Sequence, residues 1–180
     1  MRLYLDTSVI RLCIEGDASE QATALHWIER AEAAPSGTLL TSLLARTECL
    51  IKPVRFRNVA RIQQFEEFFR HSGVVLVGVS DEILELATQV AADYHIRLAD
   101  AIHTATAIKG RCDALVARDR PWTETGPVMG LPLLHFSDEP TTPAPRFAPS
   151  KTRSRAPAES RTTCAPPRPP APRAWGRSAR

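Results

Sequence analysis

The sequence predicts an α/β protein, a three-layer α/β/α sandwich built around a short, mostly parallel five-stranded sheet. One observation is that five short apolar runs alternate along the chain with segments whose apolar residues recur at helical spacing. A second is that most of these runs are continuously apolar, as is typical of strands buried on both faces of a parallel sheet. Both observations place the predicted strands between two layers of helices.

The elements follow one another in a regular order. Strands are predicted at residues 3–5, 38–41, 74–77, 114–117 and 131–135. Helices are predicted at residues 19–34, 43–52, 57–71, 83–94 and 98–109. Pro53 is expected to separate the second and third helices, Ser80 to cap the fourth, and Gly110 to end the fifth.

Composition divides the chain into a folded domain at residues 1–139 and a basic, Pro/Arg/Ala-rich tail at 140–180. Residues 141–180 contain nine Lys or Arg residues against one acid, and nine of the fifteen prolines. A segment with so few large apolar side chains buries too little surface to offset its ordering entropy, so we expect disorder there. The tail is either a dispensable extension or an electrostatic arm for a polyanion such as RNA.

Cysteine usage and hydropathy exclude several classes of protein. The four cysteines form no CxxC pair and no zinc-ligand spacing, which is typical of free thiols in a reducing cytoplasm. No apolar run approaches the roughly 18 residues of a membrane span, and the first apolar stretch is broken at Asp6. We therefore expect a cytoplasmic protein without a signal peptide or membrane span.

Carboxylates lie just after two of the predicted strands. Asp6 comes after the first strand, and Asp119 lies just beyond the fourth. In a parallel sheet the active crevice lies beyond the carboxyl ends of the strands, at the switch in strand order. Glu48, in an apolar helical stretch, and Asp100, near the start of an Ala-rich helix, are expected to enter the same crevice.

Each acid taken singly also has an ordinary structural explanation. Asp is common as a turn residue or helix cap, Asp100 would complement its helix dipole, and Glu48 could pair with Arg46 or Lys52. Four carboxylates in one crevice, however, repel one another, and a divalent cation removes that conflict. Ligands that are all oxygen favour Mg²⁺ or Mn²⁺ over Zn²⁺.

Taken together, four segments resemble the PIN-domain family, and most closely the VapC-type toxins of bacterial type II toxin–antitoxin pairs. These segments are YLDTS, the lone glutamate after the second strand, RLADAIHTATA and LVARDRPW. The resemblance covers about residues 2–138 and includes the closing GLPLLHFSDE. It implies a metal-dependent ribonuclease that uses Mg²⁺ or Mn²⁺, an RNA substrate, frequent homodimers and a small antitoxin partner. The family's catalytic and metal-binding acids fall here on Asp6, Glu48, Asp100 and Asp119.

One position departs from the family pattern. The family usually has Thr or Ser two residues before its last Asp, whereas this chain has Ala117. The missing hydroxyl leaves a second function open, in which a catalytically impaired PIN-like module binds RNA or an antitoxin. The four intact carboxylates favour the nuclease.

Several side chains beside the acids are candidate substrate contacts. Arg118 and Arg120 bracket the last acid and are the best candidates to contact RNA phosphates. Thr7 and Ser8 follow the first acid, where their hydroxyls either donate hydrogen bonds to carboxylates and water or belong to an ordinary turn.

Two ring side chains near the acids are interpreted as structural. Trp122 is expected to pack on the end of the fourth strand, although it could instead stack on a base. His103 lies one turn after Asp100 and could share its helix face, so a contact with that carboxylate is a secondary expectation.

Overall fold

The computed structural model describes residues 1–138, so the tail predicted at 140–180 lies outside the described residues and its boundary stays a prediction. The elements are, in order, β1 (Arg2–Leu5), α1 (Thr7–Glu15), α2 (Ala18–Ala33), β2 (Thr38–Ser42), α3 (Leu43–Arg55), α4 (Val59–His71), β3 (Val74–Val77), α5 (Asp81–Tyr94), α6 (Leu98–Lys109), β4 (Ala114–Ala117), α7 (Arg120–Thr123) and β5 (Leu133–His135). Within this part of the chain, every helix is too short or too polar to cross a membrane.

The five strands form one parallel sheet in the order β3-β2-β1-β4-β5, which confirms the predicted fold class. Leu3 of the central strand lies opposite Leu39 in β2 and opposite Ala114 in β4. The chain builds β2 and β3 on one side of β1 and then returns to build β4 and β5 on the other. The strand order therefore switches between β1 and β4, and a ligand crevice is expected beyond their carboxyl ends.

Helices cover both faces of the sheet, and each face has its own apolar core. Leu3 and Leu5 of β1 pack with residues of α1, α2, α3 and α4. Tyr4, between them, points to the opposite face and packs with α5 and α6, because successive side chains of a strand alternate. Trp27 of the first core donates a hydrogen bond from Nε1 to the carbonyl oxygen of Phe136 at 2.6 Å. That bond ties α2 to the chain just after β5.

Helix α1 is absent from the sequence prediction. Asp6 serves as its N-cap and accepts a hydrogen bond from the backbone N–H of Ser8 at 2.9 Å. Val9, Ile10 and Leu12 supply the buried side of this helix. The turn considered as one alternative for Thr7 and Ser8 is therefore the first turn of α1.

Two predicted boundaries are also wrong. Pro53 lies inside α3, near the end of the helix, where its missing N–H removes only one hydrogen bond. Strand β5 begins at Leu133 instead of residue 131, because Leu131 bridges back to Val128 in an antiparallel pair.

The predicted helix ends are correct in position. Ser80 is the N-cap residue of α5, but its hydroxyl donates to Glu82 at 3.2 Å and caps no backbone N–H. Gly110 is the C-cap of α6, and a Cβ there would lie 2.8 Å from Cδ2 of Leu40. Glycine thus allows the end of α6 to pack closely against the sheet.

Candidate active site

The four predicted acids reach one cleft from four separate elements. Asp6 follows β1, Glu48 lies on α3, Asp100 is in the first turn of α6, and Asp119 follows β4. The cleft has a volume of about 380 Å³ and is lined by Asp6, Thr7, Ser8, Arg11, Glu48, Arg97, Asp100, His103, Asp119 and Trp122. It lies at the carboxyl ends of β1 and β4, where the strand order switches.

Asp6 is fixed by its own helix. Its carboxylate accepts hydrogen bonds from the backbone N–H and the hydroxyl of Ser8, and its backbone N–H donates to the carbonyl oxygen of Val116 at 3.0 Å. The Ser8 hydroxyl in turn accepts a hydrogen bond from the backbone N–H of Arg118 at 3.0 Å. These bonds tie the carboxyl ends of β1 and β4 together around a buried carboxylate.

Glu48 is held by two hydrogen-bond donors on other elements. The Thr7 hydroxyl of α1 donates to its Oε2, and His103 Nε2 of α6 lies 3.0 Å from the same oxygen. Burial acts to raise the pKa of Glu48, but the hydrogen bonds from His103 and Thr7 outweigh it, and the pKa falls below its usual value. Glu48 is therefore ionised at neutral pH.

His103 is the cleft residue whose position the sequence prediction missed. The residue is 1% exposed, and its Nδ1 lies 2.8 Å from the Tyr4 hydroxyl and 3.3 Å from the Ser42 hydroxyl. Its Nε2 faces Glu48 and lies 3.7 Å from Asp6. Burial acts to lower the pKa of His103, but the bond to Glu48 and the charge of Asp6 raise it on balance. The sequence signal that could have placed His103 in the cleft was its position one helical turn after Asp100.

The cleft concentrates negative charge. Burial, followed by the neighbouring charges of Asp6 and Asp119, raises the pKa of Asp100 to about 6. Arg97 and Arg11 are the cations that line the cleft among the described residues. The carboxylates are thus only partly neutralised by the chain itself.

The donor set suits a hard divalent cation. Within residues 1–138, no three His, Cys, Asp or Glu side chains lie close enough together to share an ion as they stand. Four carboxylates lining one cleft are nevertheless the oxygen ligands that Mg²⁺ and Mn²⁺ prefer. The repulsion that raises the pKa of Asp100 is what such a cation would relieve.

The predicted RNA contacts lie in different places. The Arg118 side chain pairs with Glu20 of α2 at 3.0 Å and lines a neighbouring cleft. Arg120 begins α7, and its side chain lies outside the described residues. Trp122 is 5% exposed and packs in the second core at the edge of the cleft, and its Nε1 has no hydrogen-bond partner among the described residues.

Ala117, the departure from the family pattern, is fully buried. It lies in β4 opposite His135 of β5 and packs in the second core. A methyl group therefore occupies the position at which the family usually has a hydroxyl.

Comparison with known proteins supports the fold. The chain resembles VapBC2 from Rickettsia felis bound to a DNA fragment from its promoter, with 14% identity over 75% of this chain and 98% of that one, and a TM-score of 0.60. VapBC-1 from nontypeable Haemophilus influenzae shows 15% identity over 77% and 100% of the two chains, with a TM-score of 0.58. VapC20 of Mycobacterium tuberculosis, a Sarcin–Ricin loop cleaving toxin, shows 20% identity over 69% and 95%, with a TM-score of 0.53.

These low identities establish a shared fold and nothing further. No curated protein matches the chain in sequence. The family model described as the PIN domain, by contrast, matches residues 3–126, from β1 through α7, which is well over half of the chain. This match agrees with the parallel sheet and with the cleft at the point where the strand order switches. The chain belongs to the PIN domain family.

Proposed function

We propose that this chain is an Mg²⁺- or Mn²⁺-dependent endoribonuclease that hydrolyses RNA phosphodiester bonds. The observation that carries the proposal is the meeting of Asp6, Glu48, Asp100 and Asp119 in one cleft of a PIN domain. PIN domains are typically nucleases. A protein of the same fold is a toxin that cleaves the Sarcin–Ricin loop, which supports RNA as the substrate.

The four carboxylates would hold the cation, and neighbouring groups orient them. The bound cation supplies an activated water and offsets the charge that builds on the phosphoryl oxygens. Thr7 fixes Glu48, and Ser8 fixes Asp6, so both hydroxyls act through a carboxylate. His103 positions the same glutamate through the same carboxylate oxygen.

Positive groups on the cleft wall would receive the substrate. Arg11 and Arg97 line the cleft and can donate hydrogen bonds to phosphate oxygens. Attack by water forms a new bond to phosphorus while the 3′-oxygen leaves with a proton. The products are a 5′-phosphate and a 3′-hydroxyl, and the RNA 2′-hydroxyl is not required as a nucleophile.

Replacing single carboxylates tests the proposed function. Asp6→Asn and Asp100→Asn should each reduce cleavage of a total-RNA pool in Mn²⁺ by about 100-fold or more, because each removes charge from the ligand set. Asp93→Asn removes an exposed carboxylate of α5 outside the cleft and should cleave like the unaltered protein. Circular dichroism verifies folding, and sequencing of the cleaved ends identifies the 5′-phosphate. Cleavage that persists in EDTA, or in both cleft variants, contradicts the mechanism.

We further propose that the chain is the toxin of a VapBC-like toxin–antitoxin pair. Structures of the same fold include toxin–antitoxin complexes. The corner between α3 and α4 exposes Ile51, Val54, Phe56 and Val59, each more than half exposed. Such a surface suits an apolar partner, either a helix of a small antitoxin or a second copy of this chain. Co-purification with the product of the neighbouring reading frame, with and without Phe56→Ser, tests this surface.

A binding module with impaired catalysis is the second candidate function. Ala117 favours it, because the hydroxyl usual in the family is replaced by a buried methyl group. Measuring Mn²⁺ binding and RNA cleavage on one purified sample separates the two functions. Cation binding without cleavage, restored to cleavage by Ala117→Ser, would identify the module.

A further inference from the structure

A second cleft, with a volume of about 500 Å³, adjoins the carboxylate cleft. The two share Ser8 and Arg11 in their walls. We call the second one the basic cleft, because its lining includes four basic residues and two acids: Arg11, Lys52, Arg61, Arg118, Glu15 and Glu20. None of the four carboxylates lines it.

The basic cleft reverses the charge of its surroundings. Residues 1–140 contain fourteen basic and nineteen acidic residues, and the adjoining cleft holds four carboxylates. A polyanion is repelled by the carboxylates and attracted where positive groups are concentrated. Four of the fourteen basic residues lie in this one cleft. The positive charge that an RNA strand needs is thus available beside the carboxylates.

Two acids hold the arginines of the basic cleft in place. Arg118 pairs with Glu20 at 3.0 Å and remains 54% exposed. Glu15 forms ion pairs with two arginines. Its Oε2 lies 3.1 Å from Arg11 Nε, and its Oε1 lies 3.9 Å from Arg61 Nε. An ion pair whose arginine is more than half exposed, as that of Arg118 is, contributes little free energy because water solvates the charge as well. A phosphate can therefore replace a carboxylate as the partner of Arg118.

Lys52 differs from the arginines of the basic cleft. It is exposed, and no acid among the described residues forms an ion pair with it. The pairing of Glu48 with Lys52, considered from the sequence, does not occur, because Glu48 turns to Thr7 and His103. The ammonium group is available to a ligand in the basic cleft.

We propose that the basic cleft binds backbone phosphates of the RNA strand next to the phosphodiester that is cut. This inference rests on the proposed nuclease function. Ser8 and Arg11, common to both clefts, mark where the strand passes from the carboxylates to the basic cleft. Lys52 and Arg118 contact phosphates, and Glu20 competes with RNA for Arg118. The shared wall favours RNA over an acidic protein segment, because an RNA strand that is cut in the carboxylate cleft would pass directly into the basic cleft.

Binding measurements on the full chain test the basic cleft. Asp100→Asn is the background, so that the RNA stays intact, and the probe is a fluorescent single-stranded RNA at several salt concentrations. Lys52→Gln with Arg118→Gln should weaken binding and lower the slope of log Kd against log salt by about 0.7 for each phosphate that the protein no longer neutralises. Lys109→Gln removes one ammonium group at the end of α6, outside the basic cleft, and should leave the slope unchanged.

A variant that is expected to strengthen RNA binding makes the test independent of folding defects, because misfolding would weaken binding. Glu20→Gln releases Arg118 from its ion pair and preserves the capping box of α2, because glutamine also serves at that position. It should tighten RNA binding.

Three outcomes are decisive. Equal Kd and slope for the double variant and Lys109→Gln would overturn the proposal, while cleavage by the unaltered chain would leave the nuclease function intact. Reduced binding of a poly-glutamate peptide with unchanged RNA binding would assign the cleft to protein and also overturn it. Absence of RNA cleavage by the unaltered chain in Mn²⁺ would instead overturn the nuclease function.

Discussion

Two adjacent hydroxyl residues control two of the four carboxylates. Thr7 and Ser8 occupy the first turn of α1, so their side chains leave the same helix end toward different acids. The sequence left a turn and a hydrogen-bonding role as alternatives for this pair. The structure contains both, because Asp6 caps the helix that Thr7 and Ser8 begin. A capping motif directly after a buried strand thus also organises the acidic cleft.

His103 is expected to position Glu48 through its ring nitrogens. His103→Leu removes the bonds to Tyr4 and Glu48 and should lower the free energy of unfolding by about 1–3 kcal/mol, because buried polar groups lose a partner. His103→Gln should cost less and bind Mn²⁺ more tightly than the leucine variant, because its amide N–H can still donate to Glu48. Urea unfolding and calorimetric Mn²⁺ titration measure both. Equal Mn²⁺ affinity in the two variants would show that the ring only fills space.

The placement of the four acids in one cleft could be predicted from sequence, whereas the hydrogen-bond partners of His103 could not. Asp6 and Asp119 each follow a short apolar run, and a parallel sheet brings such ends to one edge. The partners of His103 come from β1, β2 and α3, so its environment depends on how three distant segments pack. Helix periodicity indicated Asp100 as the neighbour of His103, but the carboxylate that His103 contacts directly is that of Glu48.

At the scale of elements, two helix starts provide a matched pair. Asp17 forms a complete capping box with Glu20 at the start of α2, whereas Ser80 at the start of α5 caps no backbone N–H. Asp17→Ala should lower the free energy of unfolding by about 1 kcal/mol, and Ser80→Ala should change it by only a few tenths. Urea unfolding of both variants checks the difference. A larger loss for Ser80→Ala would mean that its hydroxyl has a role this geometry does not show.

Elements were predictable where one local signal was strong. The run VVLV correctly predicted β3. The sequence did not show that this strand lies at the edge of the sheet, where Val75 is 48% exposed. Pro53 was given too much weight, because a proline near the end of a helix removes only one bond. Helix α1 was missed because its short apolar pattern follows β1 without a break.

At the scale of the whole molecule, the cation-free protein should lose stability as pH rises. The pKa of Asp100 is raised from 3.8 to about 6, and that of His103 is raised above 6.5. A group with a raised pKa holds its proton more tightly in the folded state, so its stabilisation is lost as pH rises through the folded value. The lowered pKa of Glu48 has the opposite effect, but only below its ordinary value of 4.5. Asp100 therefore sets the slope up to about pH 6, and His103 continues it above pH 6.5, so a series from about pH 5 to about pH 8 samples both groups.

Urea unfolding in EDTA across this pH range measures the effect. Asp100→Asn should flatten the fall near pH 6, and Asp93→Asn should not. Mn²⁺ should stabilise the protein more at high pH than at low pH, because the ion binds ionised carboxylates. Stability that increases from pH 5 to 8 in EDTA would contradict the proton linkage.

The order of the strands has a consequence for how the protein is made. Asp6 follows β1, which is translated before β4, whereas Asp119 follows β4, and these two strands pair directly. A nascent or prematurely terminated chain that ends before β4 lacks one side of β1 and one of the four carboxylates. Translation must therefore pass beyond Asp119 before the cleft is complete. If the chain is the RNA-cutting toxin proposed here, an abortive fragment that ends before β4 would lack the full set of carboxylates needed for cleavage.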